Sequence, residues 1–382
     1  MIRRVALTKL KELARGFPVV AVIGPRQSGK TTLVQEAFNK HSYLSLEDLD
    51  VRDEAREDPR GFLKRQQGNF ILDEVQHVPE LFNYLQTYVD KEQRMGGVVL
   101  TGSQNFLLME RISQSLAGRV GLLPLLPFSW SELKNITDRD KPLNEVLFTG
   151  SYPPIFDRGV SPSDWYPRYV QTYIDRDARL IRNIGDLSSF QRFVKLCAGR
   201  IGQLVNFSSL ATDCGIDTKT AQSWMSVLEA SYIILLLRPH YKNFNKRLVK
   251  QPKLYFVDTG VACMLLGIEG ADQLSTHYLR GGIFENWVIL ERLKKRFNAG
   301  LNSNLFFWRD NTGHEIDLLE EKSQNLHAWE IKAGETFQSD WMKGLKWFQK
   351  VADPIPQLTL VYGGNRSTTR KGVPIRSWRK LD

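Results

Sequence analysis

The sequence predicts an α/β protein: a parallel sheet covered on both faces, then a helical middle region, then a second α/β unit. Three observations carry this. Short, continuously apolar runs alternate with helix-like segments up to residue 101, the pattern of strands buried on both faces. After Leu133 the texture changes to Pro, Gly, Tyr and Asp/Arg pairs. Past residue 283 an amphipathic helix precedes further strand-like runs.

The elements follow in order. Val5, Leu7, Leu10, Leu13 and Ala14 have helical spacing, so residues 5–15 read as an amphipathic helix. Strands are expected at Pro18–Ile23, Tyr43–Leu46, Phe70–Leu72 and Val98–Thr101. These bound a first domain at 1–135. Residues 136–187 read as a helical lid or linker with one long helix over 165–181. A compact helical unit fills 188–272, and the last unit fills 273–382. There the helix at 283–296 (Phe284, Val288, Leu290, Leu293) precedes strand-like runs at 305–309, 315–320, 327–332 and 357–362.

Composition narrows the function classes. The 382 residues hold 52 Lys plus Arg against 42 Asp plus Glu, a formal charge of +10. Apolar residues at 42% and charged residues at 25% are ordinary for a folded protein and exclude a disordered or collagen-like chain. The longest aliphatic run, Ile233–Leu237, is far short of the about 20 residues that span a bilayer. Met1-Ile2-Arg3-Arg4 opens straight into charged periodic sequence, so no signal peptide is expected. Cys197, Cys214 and Cys263 are scattered and fit a reducing cytoplasm. The positive balance permits an anionic partner, most simply nucleic acid.

The strongest motif is Gly24-Pro25-Arg26-Gln27-Ser28-Gly29-Lys30-Thr31, followed by Thr32. It matches G-x-x-x-x-G-K-[ST] between a strand and a helix expected over Lys30–Phe38. Glycines let the backbone curl until successive N–H groups face a polyphosphate, and the helix adds its positive end. Lys30 can reach the β- and γ-phosphates of ATP, and Thr31 can ligate magnesium. A partner acid belongs at the end of another buried strand. Asp73 fits the magnesium shell, and Glu74 fits a residue that orients or deprotonates the attacking water. The pair can instead cap the next helix. At the end of the following strand, Ser103 or Gln104 is placed to touch the γ-phosphate. Arg119 is placed either to complete a neighbour's site in a homo-oligomer or to sit on the surface.

In the middle region, residues 190–200 read as one helix, Asn206 caps a second through Cys214, and Asp217 caps a third from Thr218 to Ala230. Gly215-Ile216 makes the tight turn. The third helix points Lys219, Gln222 and Ser223 outward and Trp224, Val227 and Leu228 inward. A strand at Tyr232–Leu237 leads into 238–253, which has no acidic residue. The pattern is a winged helix: a recognition helix for a groove and a basic wing for phosphate. Lys219, Arg238, Lys242, Lys246, Arg247, Lys250 and Lys253 are the expected DNA contacts. The same fold also serves for packing or protein contacts.

Near the C-terminus, Glu315 and Asp317 share one strand face, as do Glu330 and Lys332. A hairpin would bring Asp317, Glu330 and Lys332 together, and Glu285 on the preceding helix can join them. Carboxylates that bind magnesium beside a lysine suit phosphodiester cleavage. A cross-strand salt bridge is the plainer outcome.

These segments resemble a prokaryotic AAA-type P-loop ATPase family with a C-terminal domain similar to PD-(D/E)XK restriction endonucleases. The resemblance rests on Gly24–Leu33, Leu72-Asp-Glu-Val-Gln76, Leu100-Thr-Gly-Ser103, Leu116-Ala-Gly-Arg119 and Pro127–Leu133, with Phe284–Val288, Gly313–Asp317 and Glu330-Ile-Lys332 in the last domain. It covers residues 3–365. It implies Lys30, Thr31, Asp73 and Glu74 as nucleotide residues and Arg119 as an arginine finger. It also implies Glu285, Asp317, Glu330 and Lys332 as nuclease-like residues. Ile316 stands where that class has Pro. The expected function is an ATPase coupled to nucleic-acid binding, with magnesium-dependent cleavage as a further step. The rival is an ATP-gated interaction protein whose last domain cuts nothing.

Overall fold

A computed structural model describes residues 2–103, 115–134, 136–137, 140–173, 184, 186–240, 250–323 and 325–381. The chain opens with helix α1 (Ala6–Gly16), strand β1 (Val19–Ile23) and helix α2 (Lys30–Ala37). Strand β2 (Ser42–Ser45), helices α3 (Leu49–Glu57) and α4 (Pro59–Arg65), strand β3 (Phe70–Asp73), helix α5 (Leu81–Glu92) and strand β4 (Val98–Gly102) follow. Strand β5 is Val120–Pro124. The five strands form one parallel sheet ordered β2-β3-β4-β1-β5. Every side chain of β1 is buried, because both neighbours and both faces are covered. Each such valine contributes roughly 1.5–3 kcal/mol by leaving water.

The sheet places the loop after β1 and the ends of β3 and β4 together at one end. Gly24 follows β1, Asp73 closes β3 and Gly102 closes β4. β5 was not among the expected strands. Gly121 and Pro124 weaken its signature, yet Gly121 is needed there, since a Cβ would press on Phe17 and Leu13. β2 begins one residue earlier than expected and lies on the sheet edge.

Short helices follow at Trp130–Leu133 (α6), Leu143–Thr149 (α7), Pro153–Asp157 (α8) and Pro162–Thr172 (α9). The long helix expected over 165–181 thus starts at Pro162 behind its Ser161 cap. Its second half falls outside the described residues. The middle unit holds helices α10 (Leu187–Ala198), α11 (Phe207–Cys214) and α12 (Thr218–Ala230). Asn206 accepts from the Ser209 amide at 3.0 Å and Asp217 from the Thr220 amide at 2.9 Å. The aromatic core around Trp224 stacks edgewise on Phe190 and Phe193. Strands β6 (Ile234–Leu237) and β7 (Lys253–Phe256) pair antiparallel. Helix α13 (Thr259–Leu265) then leads to the long helix α14 (Arg280–Asn298).

The last unit is a six-stranded mixed sheet ordered β12-β13-β11-β10-β9-β8. Its strands are β8 (Leu305–Arg309), β9 (Glu315–Lys322), β10 (Asn325–Lys332), β11 (Gln357–Tyr362), β12 (Thr368–Arg370) and β13 (Val373–Ser377). Helix α15 (Lys343–Val351) packs on it through Leu345 and Phe348. The sequence reading placed neither α15 nor the last two strands. β12 is exposed throughout, and β13 is short and carries Pro374, which demotes it as a strand signal.

A buried polar chain ties the units together. Arg4 donates to the carbonyls of Ser28 and Leu126 at 2.7 Å each and to Glu132 at 3.0 Å. Glu291 of α14 accepts from the Trp130 amide at 2.6 Å. Lys294 reaches Glu291, the Phe128 carbonyl and Ser151. Asp258 takes the Ser151 amide and hydroxyl and the Tyr166 hydroxyl. Each of these charges is satisfied, which burial requires. Residues 126–133 therefore share a core with α14 as well as joining the first sheet.

Candidate functional site

The loop after β1 curls as its sequence requires. Gly24 has φ +156 and its missing Cβ would collide with the Leu125 carbonyl. Gly29 has φ +90 and sits at the start of α2 in the left-handed region, which favours glycine. Lys30 is buried. Its ammonium donates to the carbonyls of Gly24 at 3.1 Å and Pro25 at 2.9 Å, so the charge lies inside the curl. The Ser28 hydroxyl is buried with no hydrogen-bond partner among the described residues.

Asp73 and Thr31 meet as expected. The Thr31 hydroxyl donates to Asp73 at 2.9 Å. Asp73 also accepts from Tyr43 at 2.6 Å and from Thr101. The carboxylate is thus held by three hydroxyls from three elements. Burial and the bond to Asp73 push the Tyr43 phenol above its ordinary range, which keeps it a donor.

Glu74 adopts φ 53, ψ 48, a left-handed conformation that costs energy for a non-glycine residue. Its amide donates to Thr101 Oγ1 at 3.1 Å, and Gln76 donates to its carboxylate. Gln76 also donates to Ser103 at 3.3 Å. Burial opposes its charge. Lys30, Gln76, Arg26 and Ser103 outweigh that and hold the Glu74 carboxyl below the usual carboxylate range. Gln104 lies outside the described residues.

A cavity of about 270 Å³ opens over Gln27, Gly29–Thr32 and Glu74. Its far wall is Pro153, Pro154, Asp157 and Arg158 from helix α8 and the residue after it. The sequence reading did not find this wall, because nothing local in Pro153–Arg158 marks it as a phosphate neighbour. Tyr43, Gln76 and Thr101 were missed too. Thr101 had a usable signal, since it ends the strand beside β3. Thr31 and Asp73 supply hard oxygen donors in contact, which fits magnesium beside a triphosphate.

Arg119 sits just before β5, and its carbonyl accepts from the Val19 amide. That is the end of the sheet opposite Gly24–Thr31, so Arg119 does not reach the loop of its own chain. Its guanidinium instead grips Asp90 of α5 through two bonds, at 2.5 and 2.8 Å.

In the last unit the hairpin of β9 and β10 gathers Asp317, Glu330 and Lys332. Lys332 lies 2.5 Å from Glu330 and 3.6 Å from Asp317. Asp317 also accepts from the Ile331 amide at 2.8 Å. Glu285 of α14 comes close and is partly buried. It takes Lys253 at 2.9 Å and the Tyr255 hydroxyl at 2.5 Å, while Lys253 also pairs with Glu315. Burial and Asp317 push Glu285 up against the pull of Lys253. The same two causes raise the Glu330 carboxyl to about 8, and among the described residues one of its buried oxygens has no hydrogen-bond partner. Asp317 and Glu330 hold the Lys332 ammonium above its ordinary range despite burial.

This arrangement corrects one expectation. The sequence places Lys253 on the wing against phosphate, but it is 2% exposed and locked between Glu285 and Glu315. Strand pairing of β7 with β6 turns it inward. Lys219, Arg238 and Lys250 are exposed, and Arg238 pairs with Glu229 at 3.1 Å. Lys242, Lys246 and Arg247 lie outside the described residues.

The carboxylate cluster does not fit a metal as arranged. Its four acidic side chains (Glu285, Glu315, Asp317, Glu330) are already engaged by three cations (Lys253, Arg309, Lys332). Among the described residues no three His, Cys, Asp or Glu side chains are grouped to hold a metal ion. Among them, too, no helix is long and apolar enough to cross a membrane.

Sheet, loop and acid pair define a P-loop domain of AAA type, and an AAA domain family matches residues 16–134. Two domains of unknown function match the rest: DUF8612 over 140–272 and DUF4143 over 280–379. The uncharacterized proteins Rv2008c of Mycobacterium tuberculosis and Mb2031c of Mycobacterium bovis are each 30% identical over 341 residues, covering 87% of this chain and 74% of theirs. The chain belongs to the family of these mycobacterial proteins. An uncharacterized protein of Haemophilus influenzae is 21% identical over 67% of this chain and 64% of its own. Among solved structures, a Walker-type ATPase of Pyrococcus abyssi has 16% identity and a TM-score of 0.40, covering 68% of this chain and 94% of its own. AMPPCP-bound DnaA from Aquifex aeolicus has 13% identity and a TM-score of 0.27, covering 59% and 86%.

Proposed function

We propose that this protein hydrolyses ATP between subunits of a homo-oligomer and couples the reaction to nucleic-acid binding. The observation that carries it is the convergence of Lys30, Thr31 and Glu74 on one cavity at one end of the sheet, with Asp73 bonded to Thr31 beside it. The units are the AAA domain at 1–135, a lid at 136–187, a winged-helix unit at 188–272 and a nuclease-like domain at 273–382.

The residues divide the work. Backbone amides of Gly24–Thr31 and the Lys30 ammonium take the β- and γ-phosphates. Thr31 and Asp73 would hold magnesium, which when bound neutralises charge on the phosphates. Glu74 orients the water that attacks the γ-phosphorus as the bond to the bridging oxygen of ADP breaks. A carboxyl held below its ordinary range is a weak base, so orienting suits Glu74 better than early deprotonation. Gln76 and Ser103 fix its carboxylate. Arg158 gives the cavity wall a positive charge within the same chain.

Arg119 acts in the neighbour's site, since it faces away from its own loop. Oligomerisation would exchange Asp90 for a transferring phosphate. Arg119→Ala is expected to lower turnover by about a thousandfold, near the low end for an arginine finger, while nucleotide binding persists. Mixing it with the inactive Lys30→Ala protein should restore part of the rate, because some interfaces regain both groups. Wild-type turnover by Arg119→Ala alone would sink the assignment.

The winged-helix unit offers Lys219, Arg238 and Lys250 to DNA phosphates. For a duplex, Lys219→Ala should reduce the slope of log affinity against log salt by about 0.9, one counterion's worth. Fluorescence anisotropy over a salt series reads this directly; an affinity indifferent to salt refutes contact by this face.

A second reading of the last unit is favoured by one observation. Lys253, Arg309 and Lys332 already pair with its carboxylates, so the domain serves as an ATP-gated contact surface and no metal-dependent cleavage is assigned to it. Magnesium-dependent nicking that disappears in Lys332→Ala would restore the cleavage reading.

A further inference from the structure

A second cavity, about 570 Å³, lies between α4 and α5, far from the phosphate loop. Its residues Gln66–Gly68 lead into β3, and Lys91–Arg94 precede β4. It therefore sits at the N-terminal ends of the strands, whereas Gly24–Thr31 lies at their C-terminal ends.

Helix spacing builds the walls. On α5, Tyr84, Tyr88 and Lys91 recur at i, i+4 and i+7 and share a face. On α4, Arg60, Leu63 and Lys64 share a face at i, i+3 and i+4. The Tyr88 ring is anchored on Phe70, with centroids 5.7 Å apart. Tyr84 keeps 37% of its surface exposed, a large ring left open to the cleft. Arg60, Lys64 and Lys91 make no ion pair or hydrogen bond among the described residues, and only Glu92, held by Arg94 at 2.7 Å, opposes them. Four cations against one carboxylate leave a charge of +3 in the cleft.

We propose that this cleft binds single-stranded nucleic acid, with phosphates on Arg60, Lys64 and Lys91 and an unstacked base against Tyr84. A single strand alternates flat apolar faces with anions, and the cleft alternates open rings with unpaired cations. A duplex hides its base faces, so it gains only the phosphate contacts. An acidic peptide gains the charge but has no flat face for the tyrosines. The volume suits one or two nucleotides within the about 300–1,000 Å³ typical of ligand sites. The site is separate from the winged-helix contact proposed above and does not depend on it.

The test is fluorescence anisotropy of the full chain with a labelled oligothymidylate of about 12 nucleotides. Tyr84→Ala should weaken binding about tenfold, and Tyr84→Phe should bind as wild type, because the ring face is what matters. Arg60→Ala with Lys64→Ala should lower the salt slope by about 1.4, two phosphates at 0.7 each. Duplex affinity of Tyr84→Ala and DNA-free ATP turnover of all variants should match wild type. These positions are exposed, and a melting curve confirms that each variant folds. Wild-type affinity and slope in both alanine variants overturn the proposal. So does displacement of the oligonucleotide by polyglutamate as readily as by unlabelled strand, which would make the cleft an acidic-peptide site. Competition by ATP at the same concentrations as unlabelled strand would also overturn it, reducing the cleft to a mononucleotide site.

Discussion

Lys30→Ala is expected to abolish ATP hydrolysis, with turnover falling at least a thousandfold, the scale of losing a charge that stabilises the transferring phosphoryl group. The fold should survive. The substitution leaves the Gly24 and Pro25 carbonyls without their donor, at about 1–3 kcal/mol, but it also removes a buried ammonium whose desolvation opposed folding. Activity and stability should therefore separate: phosphate release vanishes while the melting temperature moves little. A second consequence concerns Glu74. Burial pushes its carboxyl up, and Lys30 is the foremost group holding it down. Without Lys30 the carboxyl rises, so any residual turnover that needs ionised Glu74 should grow with pH to a higher value than in wild type. Phosphate release across a pH series measures both effects. Undiminished hydrolysis by the variant would end the nucleotide-loop assignment.

What the residues revealed beforehand follows the range over which each signal acts. The loop, Asp73 and Glu74 were legible because a phosphate nest and a strand-end carboxylate are local constraints on residue type. The capping residues Asn206 and Asp217 were legible for the same reason, each serving an amide three residues on. The hairpin that joins Asp317 to Lys332 followed from two-residue alternation. Long-range placement was not legible. Arg158 closes the nucleotide cavity only because Ser151, two residues before α8, is pinned by Asp258 and Lys294 from distant segments. Lys253 looked like part of an unbroken basic run. Its direction was decided by strand register with Leu237, which a charge count does not carry. β5 hid behind a glycine that the packing of Phe17 demands.

Lys253→Met should be the most destabilising single change in the middle region, by about 3–5 kcal/mol, the cost of stripping one partner from a buried ion pair. The methionine fills most of the lost volume, so the loss is electrostatic. Glu285 on α14 lies against β7 with 14% of its side chain exposed, and Lys253 is the main cation offsetting the cost of that partial burial. Among the described residues, Glu315 keeps Arg309 at 3.1 Å, whereas Glu285 keeps the Tyr255 hydroxyl. The sign of the pH dependence follows. The folded Glu285 carboxyl already lies above its ordinary range, and removing Lys253 raises it further. A raised carboxyl takes up a proton more readily when folded, so it favours folding at low pH and loses that advantage as pH climbs through its folded value. The gap between variant and wild-type melting temperatures should therefore be widest in alkali and narrow on acidification. Adding Glu285→Gln should recover part of the loss at high pH, since it removes the charge left behind. A gap that stays constant with pH would show that Lys253 supports the fold by packing alone, and would reopen the cluster to an external cation.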